Sequence, residues 1–291
     1  MAVVVASFRE PALLDACLTS IEVARARVEA PVVVARAGDG ADVAAVAEHR
    51  PWVTIVPVRG APDVPRLRGA GMEAAPAADR IAVTEDHCLA DPCWLERLRD
   101  AGCRDTDVVG GGMGNARRGV VDWAAYFSEY GFFSSTRPAA RESRPGGPPL
   151  LLTGANVAYS ARVAPDVARR ALAGQWENTI HGDLHDRGAI LLWEPRARVL
   201  QNGTYRVGAF CRDRFDHGRD YARTRVARGT TLPRWLLAAG TPLLPFLLTG
   251  RVVRAAGGEA PLAFLRSLPV TATFLGAWSL GEAVGYLEGA R

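Results

Sequence analysis

Four short β-branched apolar runs recur within the first 85 residues, each separated from the next by a stretch of helical character. The runs are Ala2 to Ala6, Pro31 to Val34, Val53 to Val56 and Arg80 to Thr84. A short run that is apolar on both faces suits a strand buried in a parallel sheet. Between the first two, Pro11 suits a first helical turn, and Leu13, Leu14, Cys17, Leu18 and Ile21 follow at helical spacing. Ala41 to His49 and Arg66 to Ala75 read as further helices. Strands and helices alternating over short connections predict an α/β fold with a doubly wound, mostly parallel sheet. Ligands of such sheets sit off the carboxyl ends of the strands. Glu85-Asp86-His87 begins at that end of the fourth run.

The 291 residues allow one large or two small domains. Hydrophobic residues make up 48% and charged residues 23%, which excludes a disordered chain. A formal charge of +4 suits an anionic partner such as a nucleotide diphosphate or an acidic membrane surface. Cys17, Cys88, Cys93, Cys103 and Cys211 include no C-x-x-C pair, so they read as free thiols in a reducing compartment. No signal-peptide pattern precedes Val3-Val4-Val5. A cytoplasmic protein is expected.

Further along, Gly110-Gly111-Gly112-Met113-Gly114 lacks dinucleotide-loop spacing and reads as a flexible loop bordering a site. Arg137 to Pro149, rich in Pro, Gly and Arg, reads as a mobile loop. Gln175 to Arg187 is a predicted helix that Gly188 ends, and Ala189 to Trp193 is a strand. After Gln201 the character changes. Six arginines fall between Arg212 and Arg228, followed by two uncharged stretches, Trp235 to Gly250 and Ser267 to Gly281. Each stretch is short of the roughly 20 residues that span a bilayer, and Pro242, Pro245 and Pro269 break them further. With Arg234, Arg251, Arg254 and Arg266 alongside, they suit segments lying in a membrane interface. A helical pair packed on the rest of the chain or in a dimer is the alternative.

Two adjacent carboxylates need a cation or a hydrogen-bonding loop, so Glu85-Asp86-His87 is either a metal-phosphate site or a solvated acidic turn. His181 and His185 have the i, i+4 spacing of a zinc pair, but Gly182 stands where H-E-x-x-H places its catalytic Glu, so no zinc site is expected.

These residues resemble inverting family-two glycosyltransferases of the A-type nucleotide-sugar fold. That family carries a D-x-D motif at a strand end, with a proline seven residues after its first acid and then an aromatic-Leu pair. Here Glu85 is followed seven residues later by Pro92 and then by Trp94-Leu95. The resemblance extends over residues 3 to 202. Val3 to Glu10 looks like the family's opening strand and loop, which implies a nucleoside against Ala6, Ser7 and Glu10. Arg66-Leu67-Arg68-Gly69 resembles the A-R-N-x-G stretch, making Arg68 a candidate for the phosphates or the acidic motif. Glu85 and His87 match the two acids of D-x-D, which implies a divalent cation at His87 and Asp86, with Mn²⁺ favoured over Mg²⁺ by an imidazole ligand. The base-contacting Asp after the second strand is replaced by Ala35-Arg36.

Leu152 to Ala158 resembles the acceptor-side G-x-N-x-A segment, with Gly154 and Asn156; an asparagine capping a helix reads equally well. Trp176-Glu177 resembles the E-D pair, and Glu177 stands eleven residues before Gly188, as the family's general base does before its glycine. Inverting transfer needs one carboxylate to deprotonate the acceptor hydroxyl. The alternative for Glu177 is a carboxylate placed to suit a helix dipole. His181, one turn on, faces the same site if the helix forms.

The resemblance implies a nucleotide-sugar transferase domain over 1–205, then a basic linker and an apolar helical, membrane-associated segment over 206–291. It implies metal-assisted transfer, with inversion, from a nucleoside diphosphate sugar to a glycan or lipid-linked acceptor, at the cytoplasmic face of a membrane. No nucleic-acid partner is expected. A non-catalytic nucleotide-binding or membrane-scaffold protein of the same fold is the other reading. A nucleotidyltransferase is disfavoured, because Ala6 to Pro11 contains no glycine for a phosphate loop.

Overall fold

The four apolar runs become four parallel strands with helices between them. In chain order these are β1 (Ala2–Ser7), α1 (Pro11–Arg25), β2 (Val32–Ala37), α2 (Ala44–Glu48), β3 (Val53–Val58), α3 (Val64–Ala74) and β4 (Arg80–Glu85). The computed structural model describes residues 1–60, 63–102, 105–136, 141–227, 229–230, 232–256 and 260–289. Val3, Val4 and Val5 are fully buried, because β1 has a parallel neighbour on each edge and helices flank the sheet. Helix α1 starts at Pro11 and buries Leu14, Cys17, Leu18 and Ile21, as their spacing predicts.

The chain continues through β5 (Cys88–Ala90), α4 (Trp94–Ala101), β6 (Val108–Asn115), α5 (Val120–Glu129), β7 (Arg141–Ser143), β8 (Asn156–Ser160), α6 (Ala164–Leu172), α7 (Glu177–Asp186) and β9 (Leu191–Gln201). The sheet order is β3-β2-β1-β4-β8-β6-β9-β5, with β7 beside β9. Strand β8 runs antiparallel between β4 and β6, and β5 and β7 run antiparallel to β9. The expected doubly wound, mostly parallel sheet therefore forms, with its antiparallel members in the second half. Register pairs Ala6 with Glu85 and Thr84 with Asn156, so the ends of β1 and β4 and the start of β8 meet.

Two expectations are corrected here. The glycine run expected as a flexible loop lies within β6, buried. A Cβ at Gly111 would lie 2.1 Å from the Ala197 carbonyl oxygen, so close strand packing requires the glycine. Of the loop expected over Arg137 to Pro149, residues 137–140 lie outside the described ones, and Arg141–Ser143 is the strand β7. Helix α7 ends as predicted, with Gly188 at a φ of 95°. Cys17, Cys88, Cys93 and Cys211 are free, and Cys103 lies outside the described residues.

The chain divides into two units. Met1–Ala116 with Arg137–Gly203 forms the first, and Arg117–Thr136 with Thr204–Arg291 the second. The expected boundary near residue 205 did not anticipate that Arg117–Thr136 groups with the C-terminal part. In the second unit, α8 (Val207–Ala227), α9 (Arg234–Gly240), α10 (Leu244–Ala256) and α11 (Pro261–Glu288) join α5. Ala124, Ala125, Phe210 and Phe274 form its core cluster. The segment expected as a basic linker is helix α8, and four of its arginines, Arg214, Arg219, Arg223 and Arg225, serve α11. Arg219 makes a two-pronged pair with Glu288 at 2.8 and 2.6 Å, Arg225 reaches the Tyr286 hydroxyl at 2.8 Å, and Arg214 stacks on Trp278. Gly218, Gly281 and Gly285 let the two backbones touch; a Cβ on Gly281 would lie 1.9 Å from the Phe215 carbonyl oxygen. Pro269 does not break α11, because its ring sits on the exposed side, where the carbonyl it leaves unpaired reaches water.

Candidate active site

At the carboxyl end of β4, Glu85, Asp86 and His87 are all buried. They point into different arrangements. The Asp86 Oδ2 accepts hydrogen bonds from the Ser7 hydroxyl at 3.0 Å and from the Phe8 and Arg9 amides at 2.7 Å each. Arg36 Nη1 lies 3.8 Å from the same oxygen. Asp86 is thus the clamp of the β1–α1 loop. Its charge is tolerated in the interior because three donors and one cation meet a single oxygen.

Glu85 turns the other way, with one oxygen paired to Arg68. The other guanidinium arm of Arg68 donates to Glu177 Oε2 at 2.8 Å. Glu177 is the first residue of α7, where a carboxylate suits the helix dipole, and its Oε1 accepts from the Gly154 amide at 3.2 Å. Burial raises the Glu177 pKa, but Arg68 and the backbone amides outweigh it, and the net shift is downward. Arg68 fits only because residue 154 is glycine: a Cβ there would lie 2.1 Å from Arg68 Nη1. The result is one buried guanidinium bridging two carboxylates at the strand ends.

His181, one turn after Glu177, is buried and shares a 2.8 Å hydrogen bond with the Tyr159 hydroxyl. Burial lowers its pKa to about 4, against a smaller opposing pull from Glu177, so the ring is neutral near pH 7. His185 instead meets Ser143 at 2.9 Å.

The remaining expected site residues divide between framework and surface. Asn156 is fully buried; its amide donates to the carbonyls of Gly112 at 2.9 Å and Ala197 at 2.8 Å and accepts from the Trp94 indole at 2.8 Å. Its side chain therefore ties β8 to β6, β9 and α4. Ala6 and Ser7 are fully buried, and the Ser7 hydroxyl is taken up by Asp86 and Arg36. Glu10 is exposed and stands apart from the bridge. Trp176 is half-buried at the N-cap of α7.

His87 lies between the two acids, its Nε2 3.6 Å from Glu85 and its Nδ1 3.7 Å from Asp86. Burial lowers its pKa, but Asp86 and Glu85 overcome that and raise it. A divalent cation needs deprotonated ligands with free oxygens. Here Glu85 is paired with Arg68 through one oxygen only, and Asp86 holds the loop through Oδ2 alone, so its buried Oδ1, 3.7 Å from His87 Nδ1, accepts no hydrogen bond. Among the described residues no three His, Cys, Asp or Glu side chains gather as a metal shell. Asp86 Oδ1 and the second Glu85 oxygen, with the neutral form of His87 between them, are the groups that would hold the expected cation.

Two contributors escaped the sequence reading. Arg36, at the end of β2, hydrogen-bonds to Ser7 at 3.1 Å and the Arg9 carbonyl at 2.6 Å, and pairs with Asp42. The signal was a charged residue ending an otherwise apolar strand. Tyr159, between Ala158 and Ser160 in β8, carried no motif of its own.

No family model and no curated protein sequence matches this chain. Among solved structures it is similar to glucosyl-3-phosphoglycerate synthase from Mycobacterium tuberculosis, solved with Mn²⁺, UDP-glucose and phosphoglyceric acid, at 15% identity and TM-score 0.37 over 56% of each chain. It therefore spans little more than half the length of that enzyme. It is also similar to S. aureus TarS 1-349, at 14% identity and TM-score 0.47 over 97% of this chain and 90% of that one. The 4-diphosphocytidyl-2C-methyl-D-erythritol synthase of Anaerococcus prevotii aligns at 10% identity and TM-score 0.44, covering 70% of this chain and 92% of that one.

Proposed function

We propose that this chain transfers a sugar from a nucleoside diphosphate sugar to an acceptor hydroxyl, with Glu177 as the base. The observation that carries the reading is the Arg68 bridge between Glu85 and Glu177 at the carboxyl ends of the strands. The family resemblance of the motifs that supply those three residues supports it. Both oxygens of Glu177 are hydrogen-bonded, yet each keeps a lone pair for an acceptor hydroxyl. Its lowered pKa keeps it ionised at neutral pH, so it is ready to take a proton as the sugar carbon is attacked. A single base opposite the leaving diphosphate gives inversion. Arg68 and Arg9 are the cations this chain brings to the phosphates. His181, neutral and tied to Tyr159, positions the helix that carries the base. The acceptor in this reading is a glycan or a lipid-linked acceptor.

The second reading is a protein that binds the nucleotide without turnover. It is favoured by the internal pairing of both Glu85 and Glu177 with Arg68.

Replacing Glu177 with Gln keeps the shape and removes the base. Transfer should fall by about 10²–10⁴-fold, while nucleotide diphosphate binding, measured by calorimetry, stays within a few-fold of the parent. Turnover close to the parent's would remove Glu177 from the role. Binding without turnover in the parent chain would select the second reading. The same assay run with and without chelator assigns the phosphate charge: loss of transfer gives it to a divalent cation, and full transfer gives it to the arginines.

A further inference from the structure

The second unit carries an apolar surface that its own helices leave open. Residues 234–254 run as α9, a single 3₁₀ turn at Thr241–Leu243, and most of α10. Its most apolar 18-residue window has a mean hydropathy of 1.5, and only 11% of that window is buried. Thr241 and Val252 turn inward. Leu236, Leu243 and Leu247 follow at spacings of seven and four, which puts them on one helix face. Trp235, Phe246 and Val253 flank that face, with Phe246 77% exposed. The start of α11 adds Leu262 and Leu265, 68% and 63% exposed.

The charge along this segment is dominated by one sign: four arginines against the single acid Glu259, which lies outside the described residues. Among the described residues of 229–281 the ionisable side chains of Asp, Glu, Lys and Arg are Arg234, Arg251, Arg254 and Arg266, with no carboxylate. Arg234 stands at one end of the apolar face, and Arg251 and Arg254 at the other. Arg266 and Leu262 also line a groove with Val120, Trp123 and Arg118. By contrast, Arg214, Arg219, Arg223 and Arg225 of α8 are matched by partners on α11. A second copy on this face would bring arginines against arginines with no acid among the described residues of the segment to pair them. An anionic bilayer meets both demands: acyl chains receive the apolar residues, and headgroup phosphates receive the arginines.

We infer that α9 and α10, with the first turns of α11, dock this protein on the surface of an anionic bilayer, lying in the interface plane. The buried inner face of the segment, with Thr241 and Val252, belongs to a packed helix and not to one surrounded by lipid. Pro242 and Pro245 sit at the turn and in the first turn of α10, where a missing amide costs least.

The test uses the full chain and vesicles of phosphatidylglycerol and phosphatidylcholine in equal parts, against phosphatidylcholine alone. Flotation should recover the chain with the anionic vesicles, with affinity at least ~10-fold above the neutral ones, and high salt should weaken it. The double variant Phe246→Glu with Leu247→Glu should lose binding to both vesicles. Both positions are exposed, so the fold, checked by circular dichroism, should persist. Reversing Arg251 and Arg254 to Glu should abolish the anionic preference. Three results would overturn the inference: no recovery of the parent chain with anionic vesicles, unchanged binding by the Phe246/Leu247 variant, or resistance of the vesicle-bound chain to alkaline carbonate, which marks a spanning segment. A dimer that Phe246→Glu dissolves would give the face to a second copy instead.

Discussion

Two arginine–carboxylate arrangements in this molecule use the same chemistry in opposite surroundings. In the first unit Arg68 is buried between Glu85 and Glu177. In the second, Arg219 of α8 grips Glu288 at the far end of α11, where water reaches both. A buried pair has surrendered its hydration, so losing one partner strands a charge. An exposed pair exchanges one set of contacts for water at little cost. The first arrangement is therefore demanding and suited to a site; the second is an accessory to helix packing that the glycine seam already secures.

The contrast can be broken most directly at Arg68. Replacing it with Met leaves two buried carboxylates facing each other, and urea denaturation should show a loss of ~3–5 kcal/mol. Adding Glu85→Gln to that variant should recover part of the loss. If Arg68→Met unfolds at the parent's midpoint, the bridge is no more consequential than the exposed pair.

The neighbour of the bridge supplies a pH signature of similar size. His181 has a folded pKa of about 4 against an ordinary value of 6.5. A lowered folded pKa means the stability is complete above 6.5 and drains away as pH falls toward 4. The loss over that window should approach ~3 kcal/mol, and His181→Gln should flatten it. A parent stability that stays level between those pH values would deny the burial of a neutral ring. Next in size is Gly154→Ala, whose Cβ intrudes on Arg68. It should cost ~1–3 kcal/mol and impair transfer, whereas a silent outcome would show that Arg68 has room to move. Smallest is Glu288→Gln, for which the melting temperature should be indistinguishable from the parent's.

Much of this was legible because it is local. β-Branched runs announce buried strands within five residues, and Glu85-Asp86-His87 follows the fourth of them without a gap. Pro11 and Gly188 mark helix ends through their own backbone restrictions. What stayed hidden depends on partners distant in the chain. Asn156 reads as a cap or an acceptor contact until the Gly112 and Ala197 carbonyls, more than forty residues away on opposite sides, are seen to hold it. The glycine run of β6 reads as a loop because nothing local reveals the strand pressed against Gly111. Arg212 to Arg228 looks like a free cationic stretch until Trp278, Tyr286 and Glu288 arrive from α11. The acidic run suffered both ways: its position was correct, but its three side chains diverge toward Arg68, the β1–α1 loop and each other.

The clamp at Asp86 has a bearing on how a ligand is received. With Ser7, Phe8 and Arg9 all fastened to one oxygen, the rim between β1 and α1 takes its shape when the chain folds. A molecule arriving there finds a loop with little freedom left to surrender, so less of its binding energy goes into ordering the protein. Recognition at this edge is then governed by fit and charge, in the manner of a mould set before it is filled.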